Sequence, residues 1–440
     1  MSSAAGLSDN QIAEESTPPV PAWTPLQKLA FRLLFTIGGG IVVLSVYGNL
    51  GLGVLWKPLL DALAHLGERV AGGSGAILTL SGSGDSLATW YFHLGWILVA
   101  LAITAVWTAL DRQRPNYRSL AALLLVVARF ALAVSMLLYG LAKVIPAQMG
   151  YMVLPAYQIQ LVGDVSLMNT LWGFMGASAP YSIAAGLVEF VSGVLLLWRR
   201  TWLMGALLAI VAMGQVFLLN LFYDVPVKQI SGQLLLIAIG ITAPYWRSLA
   251  AMLLQRGPVE PVTLWAPLGS GTRWVRRTGT VTKWVLAGAF IALTTTFSIV
   301  ALHYMHERES EIDGVWRTTS FTIDGRQATL QDTAPEPWIN VAITYRASDY
   351  RSIVTQNAAG YVTSYDYEIH DDRIELKHPE RTEPIVLYYR QDAPDRLMLT
   401  GMLDGKRIEG QFERRFLQKS NSHFRFVQPD VEPGFAGRLP

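Results

Sequence analysis

The sequence contains no cysteine, and only 15% of its residues are charged. The absence of cysteine excludes disulfides, thiolate nucleophiles, iron–sulfur clusters and cysteine-ligated zinc. The two signs of charge nearly cancel, to a formal net charge of +2, and no basic stripe is present, so we expect no nucleic-acid partner. Hydrophobic residues make up 51% of the chain. Such a composition is too apolar for a soluble protein of this length and predicts contact with the lipid bilayer.

Seven apolar runs are long enough to cross a bilayer as helices. They lie at Leu29–Asn49, Tyr91–Leu110, Leu120–Leu141, Ile183–Trp198, Trp202–Phe222, Ser231–Trp246 and Trp284–Leu302. The fourth and sixth runs are short for a span. Between the first two runs, Trp56–Val70 has the pattern of an amphipathic helix. We therefore predict a multi-pass protein of the cell membrane.

Basic residues cluster in alternate connections between the runs. They are Arg112, Arg114, Arg118, Arg199, Arg200, Arg247, Arg256, Arg273, Arg276, Arg277 and Lys283. By the positive-inside rule, the N-terminus is then cytoplasmic and everything after the seventh span is outside. We divide the chain into a disordered tail (1–25), two spans (26–110), a four-span bundle (111–255), a basic cytoplasmic linker (256–283) and a seventh span (284–304).

The part from 305 to 427 differs in pattern from the rest, and a flexible tail (428–440) follows it. Apolar and polar residues alternate there in short runs separated by turn signals such as Asp324-Gly325 and Asp404-Gly405. The predicted strands are Val315–Ile323, Trp338–Tyr345, Ser352–Thr355, Tyr361–Ile369, Arg373–Lys377, Ile385–Tyr389, Arg396–Met402 and Lys406–Phe412. The predicted fold is a membrane all-α bundle with an extracytoplasmic antiparallel β-barrel or sandwich.

The opening Gly314-Val315-Trp316 of this β-rich part resembles the Gly-x-Trp start of lipocalin-like barrels. The resemblance implies that Arg414 or Arg415 lies over Trp316 at the closed end of a barrel. Such a barrel either encloses a ligand or is filled by its own side chains, and strand patterning does not separate these alternatives.

Two ionisable residues interrupt the apolar runs, Arg129 in the third and Glu189 in the fourth. A charge at bilayer depth is costly and is rarely incidental. Counted from the predicted span ends, Arg129 lies ~15 Å and Glu189 ~12 Å along two antiparallel helices. These depths add to nearly the thickness of the bilayer core, so we predict that Arg129 and Glu189 form an ion pair.

Helical spacing extends this site into an intramembrane polar cluster. Tyr139 and Lys143 share the Arg129 face of the third span, and Gln215, Asn220 and Tyr223 are candidate members from the fifth. Three further residues, Asp224, Lys228 and Gln233, are placed at the outer rim. Two interpretations remain open: a buried structural clamp, or a site that binds a polar or quinone-like head group. No residue is assigned a catalytic role.

His303 and His306, where the seventh span ends, share a helix face and are candidate metal ligands. Juxtamembrane histidines are more often interfacial residues, and nothing in the sequence fixes a third ligand. We assign no metal on this pattern.

Residues from about Leu120 to Leu249 resemble the DoxX family of bacterial four-span membrane proteins. The matching stretches are RFALAVSMLLYGLAKVIPAQ (129–148), GLVEFVSGVLLLWRRT (186–201) and NLFYDVPVKQISGQLLL (220–236). The most DoxX-like element is the Tyr139-Gly140-x-x-Lys143 motif. The resemblance implies a four-helix bundle and a bacterial inner-membrane redox neighbourhood, because some relatives are associated with quinone-linked or sulfur-linked oxidoreductase complexes.

The leading hypothesis is an accessory subunit of a quinone-linked or other membrane redox system, more an auxiliary than a stand-alone enzyme, with quinone as the possible cofactor. Its β-domain would contact a membrane or extracytoplasmic protein partner. One alternative is a small-molecule carrier with the Arg129–Glu189 pair at a midplane site. Another is an assembly scaffold without a bound small molecule.

Overall fold

The computed structural model describes residues 22–73, 84–255, 257, 262–266, 271–346 and 351–417. The predicted tails lie largely (1–25) or entirely (428–440) outside these residues. By their contacts the elements fall into two units, Met1–Ala131 with Gly240–Gly279, and Leu132–Ile239 with Thr280–Pro440. The first unit consists of helices, and the second combines helices with a β-barrel.

Seven helices in the described part of the chain are long and apolar enough to cross a membrane, as the sequence predicts. The longer helices are α1 (Pro25–Asn49), α2 (Lys57–Ala71), α3 (Leu87–Leu110), α4 (Arg118–Val144), α5 (Leu167–Ala177), α6 (Ala179–Leu197), α7 (Trp202–Phe222), α8 (Lys228–Leu253) and α9 (Arg273–His306). All except α2 and α5 are candidate spans. The chain is therefore a multi-pass membrane protein.

The helices extend beyond several of the predicted runs. Of the two spans predicted to be short, α6 gains four residues at its start, and α8 gains three at its start and seven at its end, so that α6 has 19 residues and α8 has 26. Helix α9 begins at Arg273, inside the predicted basic linker, and its first turns carry the exposed Arg273, Arg276 and Arg277. Hydropathy finds only the apolar middle of each helix, and this explains the differences.

The predicted amphipathic helix is α2, and it packs along the first turns of α3. Leu60, Leu63 and Ala64 are buried in a cluster that includes Phe92 of α3. The backbones touch at Gly67, where an added Cβ would lie 2.0 Å from the carbonyl oxygen of Tyr91. Glycine is needed there because any side chain would separate the two helices.

The β-rich part forms a closed antiparallel barrel. Its strands are β1 (Gly314–Ile323), β2 (Arg326–Gln327), β3 (Trp338–Tyr345), β4 (Arg351–Asn357), β5 (Val362–His370), β6 (Arg373–Lys377), β7 (Ile385–Ala393), β8 (Arg396–Leu403) and β9 (Lys406–Arg414). Each strand from β3 onward pairs with its neighbour in sequence, β1 pairs with β3, and β9 returns to pair with β1. Eight strands close the barrel, and the two-residue β2 only extends β1. The predicted barrel is thus confirmed over the sandwich.

The inward side chains of the barrel make one continuous apolar core. It includes Trp316, Phe321, Trp338, Ile343 and Phe412. Inward and outward residues alternate because successive side chains on a strand point to opposite faces. This core supports the filled version of the barrel. The Cζ atom of Arg414 lies 4.3 Å from the ring centroid of Trp316, so of the two candidate arginines it is Arg414 that covers Trp316.

The connection between α4 and α5 packs on the outside of this barrel. Ile159 is buried against Val315, Ala342 and Val354, which point outward from β1, β3 and β4. The Gln356 side chain donates from Nε2 to the Ile159 carbonyl oxygen at 2.6 Å. The barrel therefore rests on the segment that follows α4, the helix that carries Lys143.

Candidate functional site

A buried ion pair joins α4 and α6. The Lys143 Nζ lies 3.0 Å from the Glu189 Oε2, and the two residues are 8% and 3% exposed. Both belong to the predicted polar cluster. Glu189 is ten residues beyond the first residue of α6, ~15 Å of helix, whereas Lys143 is the residue before the last of α4. The Lys143 side chain therefore reaches from the end of one span to the middle of the other.

The pair forms because α4 and α6 touch through glycines. A Cβ on Gly140 would lie 2.5 Å from the backbone nitrogen of Phe190, and a Cβ on Gly186 would lie 2.7 Å from the carbonyl oxygen of Gly140. At this separation the long Lys143 side chain folds back toward the N-terminal side of α4, where side chains on a helix lean. Its Nζ then reaches both Glu189 and the carbonyl oxygen of Tyr139 at 3.4 Å.

The predicted partner of Glu189 is wrong. The sequence paired Glu189 with Arg129, whereas the structure pairs it with Lys143. Arg129 lies fourteen residues before Lys143 on α4, or ~21 Å along the helix axis. The Cζ atom of Arg129 lies 5.5 Å from the ring centroid of Phe130. Arg129 thus does not belong to the same polar group as Glu189.

Tyr139 completes the group that we call the α4–α6 site: Tyr139, Lys143 and Glu189. Its ring centroid lies 6.0 Å from the Lys143 Nζ, and its side chain is only partly buried. The site therefore offers an ammonium donor, a carboxylate acceptor and the phenol hydroxyl of a partly buried side chain. These groups can hydrogen-bond a carbonyl or hydroxyl oxygen, and they fit the head group of a quinone in their donor chemistry.

The candidates from the fifth span lie apart from one another. Asn220 is buried and donates from Nδ2 to the Ser231 Oγ at 3.0 Å, which ties α7 to α8. Tyr223 packs on an apolar cluster around Met149 and Val225. Gln215 is exposed, in disagreement with its expected place in the buried cluster, because the buried face of α7 is formed largely by small residues such as Ala209 and Ala212.

The residues predicted at the outer rim divide in a similar way. Asp224 ends α7 in a left-handed backbone conformation (φ +52°), and its carboxylate accepts from the Lys228 Nζ at 2.8 Å. The Asp224 side chain is 82% exposed, so this pair is worth little in stability. Gln233 is partly buried on α8.

The two candidate metal ligands make other contacts. The His303 Nε2 lies 2.6 Å from the Glu307 Oε2, and the His306 carbonyl accepts from Arg346 at 2.7 Å. Elsewhere in the described residues, Glu368, His370 and Glu375 place possible ligand atoms within 4.8 Å of one another. Glu368 bonds Lys377 and Glu375 bonds Arg373, so these exposed carboxylates already have cationic partners.

Sequence reasoning missed a second buried ion pair. It lies at the end of the barrel where β1 begins and β3 ends, which we call the foot of the barrel. Asp313 and Arg346 are 1% and 6% exposed, and the Arg346 Nη2 donates to the Asp313 Oδ1 at 2.9 Å. Burial raises the pKa of Asp313, although Arg346 and Arg308 oppose this shift. Asp313 immediately precedes β1, and Arg346 immediately follows β3. No local pattern in the sequence therefore joins them.

Sequence reasoning also missed a third polar group, which lies in the first unit. Arg32 is 3% exposed and donates from Nη2 to the Tyr117 hydroxyl at 2.6 Å. The Tyr117 hydroxyl in turn donates to the Asp111 carboxylate at 3.0 Å. The sequence did contain a signal for this group: Asp111 immediately follows one span, and Arg32 lies in the first turns of another.

Comparison with known proteins adds one relative. No protein-family model and no solved structure matches the chain. The chain is 31% identical over 111 residues to a Bacillus subtilis (strain 168) protein described as uncharacterized protein YwoB. The matched residues are 25% of this chain and 70% of YwoB. With this identity over more than two thirds of YwoB, the chain belongs to the same family as YwoB.

Proposed function

We propose that the protein is an accessory subunit of a quinone-linked or other membrane redox system, and that the α4–α6 site receives the quinone head group. The observation that carries this proposal is the buried Lys143–Glu189 pair beside a partly buried Tyr139. The DoxX resemblance supports it, since Tyr139, Gly140 and Lys143 are the residues of the most DoxX-like motif.

The chemistry of the site gives each residue a role. The Tyr139 hydroxyl would donate a hydrogen bond to a quinone carbonyl, and the Lys143 ammonium would orient the same oxygen. Glu189 holds the ammonium in place, because a lone cation at this depth would be expelled toward the membrane surface. A bound quinone supplies two-electron redox chemistry, and the chain's own residues bind and orient it.

In this proposal the helices lie in the inner membrane, the N-terminus is in the cytoplasm, and the barrel lies on the extracytoplasmic side. The basic residues of alternate connections support that orientation. The barrel would then meet its protein partner outside the cell membrane, while the bundle holds the redox cofactor within it.

The test is purification of the full chain from its native membranes, followed by extraction and identification of bound quinones. We expect quinone in the wild-type protein and severalfold less in Tyr139→Phe, because one hydrogen bond is lost. Tyr181→Phe is the matched control, since Tyr181 is half-exposed on α6 and lies outside the site. A wild-type preparation without quinone, or equal quinone in both variants, would refute the proposal.

A second candidate function, an assembly scaffold, is supported by the barrel. Its interior is filled by its own apolar residues, and its outer face is fixed on the α4–α5 connection. Such a domain suits contact with a protein. A quinone-free preparation that retains a stoichiometric protein partner through purification would favour this function. The carrier alternative depended on an Arg129–Glu189 gate, and no observation now favours it.

A further inference from the structure

The foot of the barrel contains a small cleft lined by arginines. We call it the arginine cleft: Arg308, Arg346, Arg414 and Arg415, with walls that include Val153 and Pro155 of the α4–α5 connection. Its volume of about 180 Å³ is roughly that of six waters in the liquid. No carboxylate is found among the described residues that line it.

The positive charge of the arginine cleft is only partly compensated. The buried Asp313 carboxylate contacts Arg346 at 2.8 Å and Arg308 at 3.5 Å. Arg414 donates to backbone carbonyl oxygens, those of Asp313, Glu311 and Pro394, which satisfy its hydrogen bonds without neutralising its charge. The exposed carboxylates of Glu311 and Asp395 also act on Arg414 from the adjoining surface, so the four guanidinium groups face one buried carboxylate and two exposed ones.

The pKa shifts of two of these arginines also indicate an excess of positive charge in the cleft. Burial lowers the pKa of Arg346 and of Arg414 below the ordinary arginine value, and the neighbouring charge of Arg308 lowers both further. Protonated guanidinium groups are therefore less favourable here than in water. An anion placed between them would relieve that cost through charge-assisted hydrogen bonds, for which arginine has the right planar geometry.

The position of the cleft indicates where such an anion comes from. Arg308 follows the last residue of α9, His306, by two residues, and α9 is apolar and long enough to span a membrane. The other wall belongs to the connection that begins where α4, also a candidate span, ends. A cleft at this level meets the head groups of a bilayer that α4 and α9 cross.

We propose that the arginine cleft binds a phosphate-type anion, carried by a phospholipid head group or by a free phosphate compound. Binding would fix the foot of the barrel to the membrane surface. It involves no residue of the α4–α6 site and does not depend on a quinone being bound there.

The test uses the full chain in a neutral detergent. Native mass spectrometry counts bound phosphatidylglycerol and, as the zwitterionic reference, phosphatidylcholine; a thermal shift reports inorganic phosphate. The variant is Arg308→Ala with Arg415→Ala, both exposed and therefore tolerant of change. The matched control, Arg373→Ala with Arg390→Ala, removes the same charge from β6 and β7.

We expect phosphatidylglycerol to bind in preference to phosphatidylcholine, and the cleft variant to bind it at least tenfold more weakly, with the control unchanged. Arg308→Lys with Arg415→Lys should keep part of the affinity, because the charge remains and the bidentate geometry is lost. This variant also separates lost binding from lost folding.

The two sources of the anion give different results. A thermal shift by inorganic phosphate that is abolished in the cleft variant, with no preference for phosphatidylglycerol, indicates a free phosphate compound. Lipid preference without that shift indicates a head group. Equal binding of both probes to the wild type and to the cleft variant would overturn the proposal.

Discussion

The protein contains two buried ion pairs of different construction. In the bundle, Lys143 and Glu189 share one close contact, and the ammonium has a further acceptor in a backbone carbonyl. At the foot of the barrel, both oxygens of Asp313 are used: Oδ1 accepts from Arg346, and Oδ2 accepts from the backbone N–H of Tyr345 at 2.8 Å. The planar guanidinium of arginine makes this second network possible, whereas lysine acts as a point charge.

The two pairs stabilise different contacts between elements of the protein. Asp313–Arg346 also bonds the last turn of α9 through the His306 carbonyl, so it organises the junction between a helix and a barrel. Lys143–Glu189 joins two helices already held by close glycine contacts. The barrel pair thus joins a helix end to the barrel, whereas the bundle pair joins two spans and has the Tyr139 ring beside it.

The largest effect is expected from Asp313→Ala. The substitution leaves the buried Arg346 without its carboxylate, which should cost roughly 3–5 kcal/mol of unfolding free energy. Hydrogen exchange read by peptide mass spectrometry should show faster exchange in β1 and β3. Asp392→Ala is the control, because Asp392 pairs with Arg390 at the surface. If both variants exchanged at the same rate, the structural role of Asp313 would be disproved.

The next effect concerns the bundle pair. Lys143→Met and Glu189→Gln should each destabilise the protein, and the double variant should lose less than the sum, by a coupling of roughly 0.5–3 kcal/mol. Arg129→Ala combined with Glu189→Gln should be additive, because these residues are not partners. Unfolding in mixed detergent micelles measures all of these variants. Energetic coupling between Glu189 and Arg129, or the absence of coupling between Glu189 and Lys143, would contradict the observed ion pair.

A smaller effect is expected at the glycine contact that brings the pair together. Gly186→Ala places a Cβ against the backbone of α4 and should cost about 1–3 kcal/mol as the helices separate. Gly214→Ala is the matched control, because a Cβ at that position on α7 meets no described atom within 4 Å. Its expected effect is neutral or slightly stabilising. Equal losses in the two variants would show that the α4–α6 contact is not tight.

These results also show what the sequence could predict. Strand β3 was predicted residue for residue, and β6 as well, because alternation and turn residues act locally. Closure of the barrel through β1 and β9 could not be chosen over a sandwich, since that pairing joins strands nearly a hundred residues apart. Asp313–Arg346 was missed for the same reason.

The error at Glu189 has a specific cause. The sequence placed Glu189 ~12 Å along its helix, but α6 begins at Ala179, ten residues before Glu189, so the estimate was short by ~3 Å. Helical periodicity placed Lys143 on the right face of α4, yet it does not fix the register between two helices. That register is set by Gly140 and Gly186, whose role as contacts appears only in three dimensions.

The smallest effect separates the surface pair Arg326–Asp332 from the buried pair Asp313–Arg346 by its response to pH. Arg326 holds the pKa of Asp332 below its ordinary value of 3.8, and the Thr329 backbone N–H adds to this shift. A depressed carboxyl pKa gives stability that is present above the ordinary value and is lost as the pH falls below it. The pKa of Asp313 is raised, so Asp313 contributes with the opposite sign. Asp332→Asn should therefore lower the melting temperature slightly at neutral pH and not at acid pH. The same small loss at both pH values would show that the Arg326–Asp332 pair does not act through charge.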